Sequence, residues 1–403
     1  MPKNTVLRTT YLEKLQKMKD LDVIKVITGV RRCGKSTILH QFRDWLYTQG
    51  VSSDQVIEIN LEDLKFEDLE DYHKLYEYVK KHLPEDKKAY LFIDEIQNTE
   101  HFEKAINSLY LNKNIDIYLT GSNSRILSGE LSTRLSGRYI EIGMLPLSLS
   151  EYSQLTSQSS SEAWTRYRIE GGFPYLAFIP DQPERLDYLQ GIYNTVLVKD
   201  IVERKNISNL DLFNRVTAFL IDNIGNPVNV SKISSTLTSA KEKATRPTIQ
   251  KYLDGLKESF IFYEVRRFDI KGKELLKQNS KYYLSDIGFR QLLTRNIHRD
   301  AGHILENLVF LELIRRGYRV STGIINGQEI DFVAEHNQDR IYIQVSLTVS
   351  EDETFQREIR PFYSVQDNYP KFLITQDDWT QDVDGIRHIN AIDFLSGAEL
   401  ALS

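Results

Sequence analysis

Cysteine is nearly absent: Cys33 is the single one in 403 residues. One thiol cannot make an internal disulfide or a cysteine-based zinc site, so a reducing compartment, the cytoplasm, is the expected home. Long hydrophobic runs are missing as well. The most apolar long stretch, 304–314, is interrupted by Glu306, Asn307 and Glu312, which reads as a core helix and excludes a membrane span. Residues 1–21 are polar and charged and carry no signal-peptide pattern. Positive charge is not in excess either. Fifty-one Lys and Arg against 57 Asp and Glu give a net charge of -6, which argues against a globally basic nucleic-acid coat but leaves local patches open. Against these absences, 41% hydrophobic and 27% charged residues are an ordinary composition for two or three folded domains.

What the chain does have is a phosphate-binding loop. Gly29-Val30-Arg31-Arg32-Cys33-Gly34-Lys35-Ser36 satisfies GxxxxGKS, preceded by the β-branched run 23–27 and followed by an amphipathic pattern from Ser36 to Gln49. Strand, glycine loop and helix are the setting this motif needs. Gly29 and Gly34 allow a tight path whose N–H groups, with those of Val30 to Thr37, cradle phosphate at the positive end of the helix. Lys35 reaches the terminal phosphates, and the Ser36 hydroxyl is a ligand for Mg²⁺. Cys33 inside the loop has two readings, an oxidation-sensitive thiol or a tolerated small residue.

Further along, Tyr90-Leu91-Phe92-Ile93 delivers Asp94-Glu95. Asp94 at the end of a buried strand is placed to hold the Mg²⁺, and Glu95 to polarise attacking water, which favours hydrolysis over mere binding. Strands at 56–60, 89–94, 115–120 and 139–142 alternate with helical patterns at 71–83 and 100–111, as a parallel α/β sheet requires. Nucleotide then binds at the carboxyl ends of the strands. The run 115–120 ends in Gly121-Ser122-Asn123-Ser124, where Ser122 or Asn123 can position water or sense the γ-phosphate. Arg138, after Arg134-Leu135-Ser136-Gly137, reads either as a finger for the γ-phosphate of a neighbouring subunit or as a surface ion pair.

These residues resemble the AAA+ ATPases in which a GxRRxGKS/T loop precedes an LTGSNS-type sensor and an L-x-GR-Y element. Arg31-Arg32, Asn60-Leu61-Glu62-Asp63, Asp94-Glu95-Ile96-Gln97, Leu119 to Ser124 and Leu135 to Tyr139 fall in the expected order across the chain. The resemblance is to prokaryotic ATPases that carry a winged helix and a restriction-endonuclease-like carboxyl-terminal domain. It implies ATP rather than GTP and supports the same roles for Lys35, Ser36, Asp94, Glu95, Asn123 and Arg138. The expected domains are an ATPase at 1–150, a helical lid or connector at 151–207, a winged helix at 208–296 and a nuclease-like α/β domain at 297–403.

Residues 150–161 are serine-rich and without periodicity, which predicts a loop, followed by a helical pattern from Pro183 to about Lys205. Helical patterns at 212–224, 230–237 and 248–257, the last opened by Pro247, then precede strands at 260–268 and 281–284, the content of a winged helix. From Lys241 to Lys281 there are 11 basic and 6 acidic residues. If 245–257 is a recognition helix, Lys243, Arg246 and Lys251 contact double-stranded DNA, with Lys271 and Lys273 on the wing. Use of the same face for protein contacts is the alternative.

The last segment resembles the PD-(D/E)XK fold: Glu306 on a helix, Asp331 on a strand and Gln344 on the next as oxygen ligands. Ser346 stands in the lysine slot and Gln344 is neutral, so a degenerate centre used for binding or assembly is expected, with Arg340 or Arg357 as the residues that could substitute. Three function classes follow: an ATPase coupling hydrolysis to conformational change on DNA or a protein complex, with homo-oligomers in scope; an ATP-dependent DNA nuclease; and a slow nucleotide-switched regulator.

Overall fold

The computed structural model describes residues 5–122, 135, 137–238, 244–293 and 300–400. They divide into two units, Met1–Met144 with Glu258–Phe260, and Leu145–Lys257 with Ile261–Ser403.

The first unit runs α1 (Thr9–Met18), β1 (Ile24–Thr28), α2 (Lys35–Thr48), β2 (Val56–Asn60), α3 (Tyr72–Lys81), β3 (Ala89–Asp94), α4 (Phe102–Tyr110), β4 (Ile115–Gly121) and β5 (Tyr139–Gly143). All five strands are parallel, in the order β2-β3-β4-β1-β5. Every residue of β1 and β4 is buried, as expected of inner parallel strands covered on both faces. Ile24, Val26, Leu91, Ile93, Ile117 and Leu119 pack with Leu75 and Val79 of α3 and Ile106 and Leu109 of α4. One charged pair is buried with them: Lys25 Nζ lies 2.5 Å from Asp116 Oδ1, with both side chains shielded from water. Asp116 Oδ2 also accepts from the Tyr118 hydroxyl at 2.7 Å and the Asp20 N–H at 2.8 Å. Burial draws the Lys25 ammonium below its ordinary range in spite of Asp116.

The second unit opens with two helices where a loop is expected, α5 (Leu149–Thr156) and α6 (Ser160–Glu170). The serines responsible are caps. Ser148 accepts from the Glu151 N–H while the Glu151 carboxylate accepts from the Ser148 N–H, and Ser159 and Glu162 repeat the arrangement. Then come α7 (Gln182–Thr195), a wider π-type segment at Val196–Glu203, α8 (Leu210–Asp222), α9 (Val230–Leu237), α10 (Arg246–Glu258), β6 (Phe262–Asp269), β7 (Glu274–Leu284) and α11 (Phe289–Leu293). The remainder is α12 (Ala301–Arg315), β8 (Arg319–Ile325), β9 (Gln328–His336), β10 (Asp339–Val345), α13 (Asp352–Tyr363), β11 (Lys371–Thr375), β12 (Ile386–Asn390) and α14 (Ala391–Leu395).

Seven strands form one sheet, ordered β12-β11-β10-β9-β8-β6-β7. The hairpin after the three helices is therefore not a free wing. Strand β6 pairs antiparallel with β7 on one side and parallel with β8 on the other, 267–269 against 322–324, which satisfies backbone groups that would otherwise form an open edge. The line expected at 296/297 divides the chain but not the sheet. Among the described residues no helix is long and apolar enough to cross a membrane.

Candidate nucleotide site and a buried carboxylate cluster

The phosphate loop leaves the carboxyl end of β1 with little freedom. At Gly29 φ is 149°, and an added Cβ would meet Met144 O at 2.1 Å. Gly34, with φ 106°, is the amino-terminal cap of α2 and has no side chain to cover that helix end, where an anion is favoured. Cys33 is wholly buried, its Sγ donating to Met144 O at 3.6 Å, and burial pushes its thiol up despite the charges of Lys35 and Arg8. That environment favours the packing reading over the reactive one. The loop is braced by Arg8, to which no role attaches in the sequence because it precedes the motif by 21 residues. Its Nη1 donates to Cys33 O at 3.0 Å and its N–H to Gln41 Oε1 at 3.2 Å.

Strand order sets Asp94, Glu95 and Ser122 around this loop. Because β4 lies between β3 and β1, Ser122 emerges between Asp94-Glu95 and the phosphate loop. Lys35 Nζ donates to Gly29 O and Val30 O, each at 3.2 Å, and stands 3.7 Å from Glu95 Oε1. Glu95 turns into the left-handed region, φ 55°, where its carboxylate accepts from Ser122 Oγ at 2.9 Å and from Gln97 Nε2. Burial alone would raise the Glu95 carboxyl. The Lys35 charge, the bonds from Gln97 and Ser122, and the Arg31 charge outweigh that and hold it below its ordinary value. Arg31 also pairs with Glu62, Nη1 to Oε1 3.3 Å.

Asp94 is fixed by Thr120, whose hydroxyl donates to Asp94 Oδ1 while accepting the Glu95 N–H at 2.9 Å. Thr120 and Gln97 fall within the motifs quoted above, but the sequence attaches no role to either until β3 and β4 are seen side by side. Ser36 at the opening of α2 and Asp94 at the close of β3 suit a magnesium–nucleotide between them. Thr120→Val keeps the shape and removes both bonds; turnover, followed as phosphate release at saturating ATP, is expected to fall about 10- to 100-fold. An unchanged rate would remove Thr120 from the site.

Other expected residues lie elsewhere. Arg138 is at the amino end of β1, where its carbonyl accepts from the Ile24 N–H at 2.8 Å, and its guanidinium lies over the Tyr110 ring at 5.4 Å. The phosphate loop leaves the opposite end of that strand, roughly 13 Å away, so Arg138 does not serve its own loop. Asn123 and Lys243 lie outside the described residues. Arg246 and Lys251 are exposed on α10, with Lys251 Nζ donating to Asn206 O at 3.3 Å.

Comparison with known proteins bears on the fold. A profile described as an AAA domain matches residues 22–153, and a domain of unknown function matches 161–300. An uncharacterized protein of Haemophilus influenzae is 39% identical over 402 residues, 98% of this chain and all of that one. The chain belongs to the same family, an AAA-type P-loop ATPase family. An uncharacterized protein of Methanocaldococcus jannaschii is 29% identical, covering 84% of this chain and 78% of its own. A Walker-type ATPase of Pyrococcus abyssi has a similar fold, with a TM-score of 0.52 at 16% identity over 73% of this chain and 98% of that one.

In the second unit of this AAA protein the three nuclease-like residues do come together. The Asp331 N–H donates to Gln344 Oε1 at 3.2 Å, Asp331 Oδ2 accepts the Val345 N–H at 2.8 Å, and Gln344 Nε2 donates to Glu358 Oε2 at 3.0 Å. The expectation of a cluster without an ammonium is corrected. Lys281 of β7 lies 2.8 Å from Glu306 Oε1, 2.8 Å from Glu329 Oε1 and 3.9 Å from Asp331 Oδ1. Tyr283, two residues on, donates to Glu306 Oε1 at 2.6 Å, and His303 Nδ1 is 3.3 Å from Glu306 Oε2. Ser346 turns away to Thr348 O at 3.1 Å; Arg340 pairs with Glu335, and Arg357 with Glu358 from an exposed position.

Burial alone would lower the Lys281 ammonium; Glu306, Asp331 and Glu329 reverse this and raise it above its ordinary value. Glu306, which burial alone would raise, is held down to about 2, chiefly by the Lys281 charge. Asp331 moves well up because burial and the Glu306 charge outweigh Lys281. Strand β10 carries no lysine; the ammonium arrives from a hairpin 25 residues before Glu306.

Proposed function

We propose that this AAA protein hydrolyses ATP with Mg²⁺ and couples turnover to conformational change on DNA or a protein complex. The observation that carries this reading is the convergence of Lys35, Glu95, Ser122 and the Thr120-held Asp94 at the carboxyl end of one parallel sheet. Lys35 binds the terminal phosphates, and the α2 amino end with the backbone of 29–34 cradles them. Ser36 and Asp94 hold Mg²⁺, which neutralises phosphate charge when bound. Glu95 orients and polarises the water; Ser122 and Gln97 aim its carboxylate. In a homo-oligomer Arg138 supplies charge to a neighbour's site, and Asn123 senses the γ-phosphate.

The Lys35–Glu95 ion pair favours slow turnover until nucleotide draws Lys35 onto phosphate, so the regulator reading remains a second form of the same engine. For DNA, the support is the order of three helices and a hairpin together with the basic excess around α10. Phosphate release, measured with and without duplex DNA at several protein concentrations, tests hydrolysis, partner and self-association together. Duplex retention is expected to weaken as salt rises, and further on removal of charge at Lys243, Arg246 and Lys251. Indifference to that substitution moves the helices to a protein-contact role.

A further inference from the structure

We propose that the Lys281 ammonium is the resident cation of the Glu306–Glu329–Asp331 cluster, filling the position of a divalent metal, so that the centre is metal-free and does not cut. Three observations carry this, none of which depends on the nucleotide site. The first is contact: one nitrogen is shared by carboxylates from α12 and β9, at 2.8 Å to two of them and 3.9 Å to the third. A divalent ion bound by the same Glu306 and Glu329 oxygens sits about 2.0–2.6 Å from each, on top of the nitrogen. The two cations exclude one another.

The second is saturation. Glu306 Oε1 accepts from Lys281 and Tyr283, Glu306 Oε2 faces His303, and Asp331 Oδ2 accepts from the backbone of Val345. Lone pairs that would face a metal face protein donors instead. Among the described residues no group of three or more His, Cys, Asp or Glu is arranged to hold a metal. The third is burial: Lys281 is 2% and Glu306 6% exposed. An ammonium so enclosed persists only with a paired carboxylate, and the equally enclosed Glu306 carboxylate only with it. The cluster thereby ties β7 to α12 and β9, and the ammonium is spent on that tie rather than on activating water.

Manganese binding to the full chain without nucleotide, followed by electron paramagnetic resonance, tests the assignment. Wild type is expected to show no site that depends on Asp331. Lys281→Met, similar in length and uncharged, is expected to gain one Mn²⁺ site per chain, abolished by adding Asp331→Asn. Nucleotide binding at the phosphate loop and a cooperative melt confirm that the variant is folded. A folded Lys281→Met protein with no new Mn²⁺ site overturns the proposal. Should that variant fail to fold, wild type against Asp331→Asn decides: an Mn²⁺ site in wild type that Asp331→Asn removes overturns it, and its absence supports it.

Discussion

Glu95→Gln is expected to lower ATP turnover by about two to four orders of magnitude while leaving ATP binding intact. The substitution keeps the shape of the side chain and its contacts with Ser122 and Gln97 but removes the negative charge proposed above to polarise water. It also releases Lys35 from a partner 3.7 Å away, so ATP affinity should hold or rise. Lys35→Ala should do the reverse at the first step and lose binding itself. Phosphate release and equilibrium binding of a fluorescent ATP analogue, measured on both variants, separate the two. A Glu95→Gln protein that turns over at the wild-type rate would place the water-activating group elsewhere, and a Lys35→Ala protein that still hydrolyses ATP would sink the site altogether.

The largest expected effect on stability lies away from the nucleotide. Lys25→Met leaves Asp116 buried without its ammonium, at a cost of about 3–5 kcal/mol, a large share of the roughly 5–15 kcal/mol that holds a typical domain folded. Asp116 keeps its bonds from Tyr118 and the Asp20 N–H, but neither supplies a positive charge. Lys25→Met with Asp116→Asn should recover much of the loss because the stranded charge is gone. Loss of nucleotide binding with rising urea reports on this unit separately from the rest of the chain. If the single and double variants lose binding at the same urea concentration as wild type, the pair contributes little.

The ATPase sheet was legible because glycine loop, β-branched runs and Asp94-Glu95 are local patterns, each readable within a few residues. Thr120, Gln97 and Arg8 were not. Their roles exist only once β3 and β4 are neighbours or once residues before α1 fold back on the loop. The serine-rich run at 150–161 misled for a different reason: caps and loops draw on the same residues, and only the Glu three positions after Ser148 and after Ser159 distinguishes them. In the carboxylate cluster Asp331 meets Gln344, and Lys281 links Asp331 to Glu306. Lys281 escaped because a charge supplied from another hairpin leaves no spacing to follow.

The pairing of β6 with β8 makes one inheritance out of what the chain spells as two modules. Ending the chain after the hairpin would leave β6 with a raw edge, open to pairing with other molecules, and Lys281 enclosed without its three acids. A cut between residues 284 and 301 would therefore separate two halves of one hydrogen-bonded sheet.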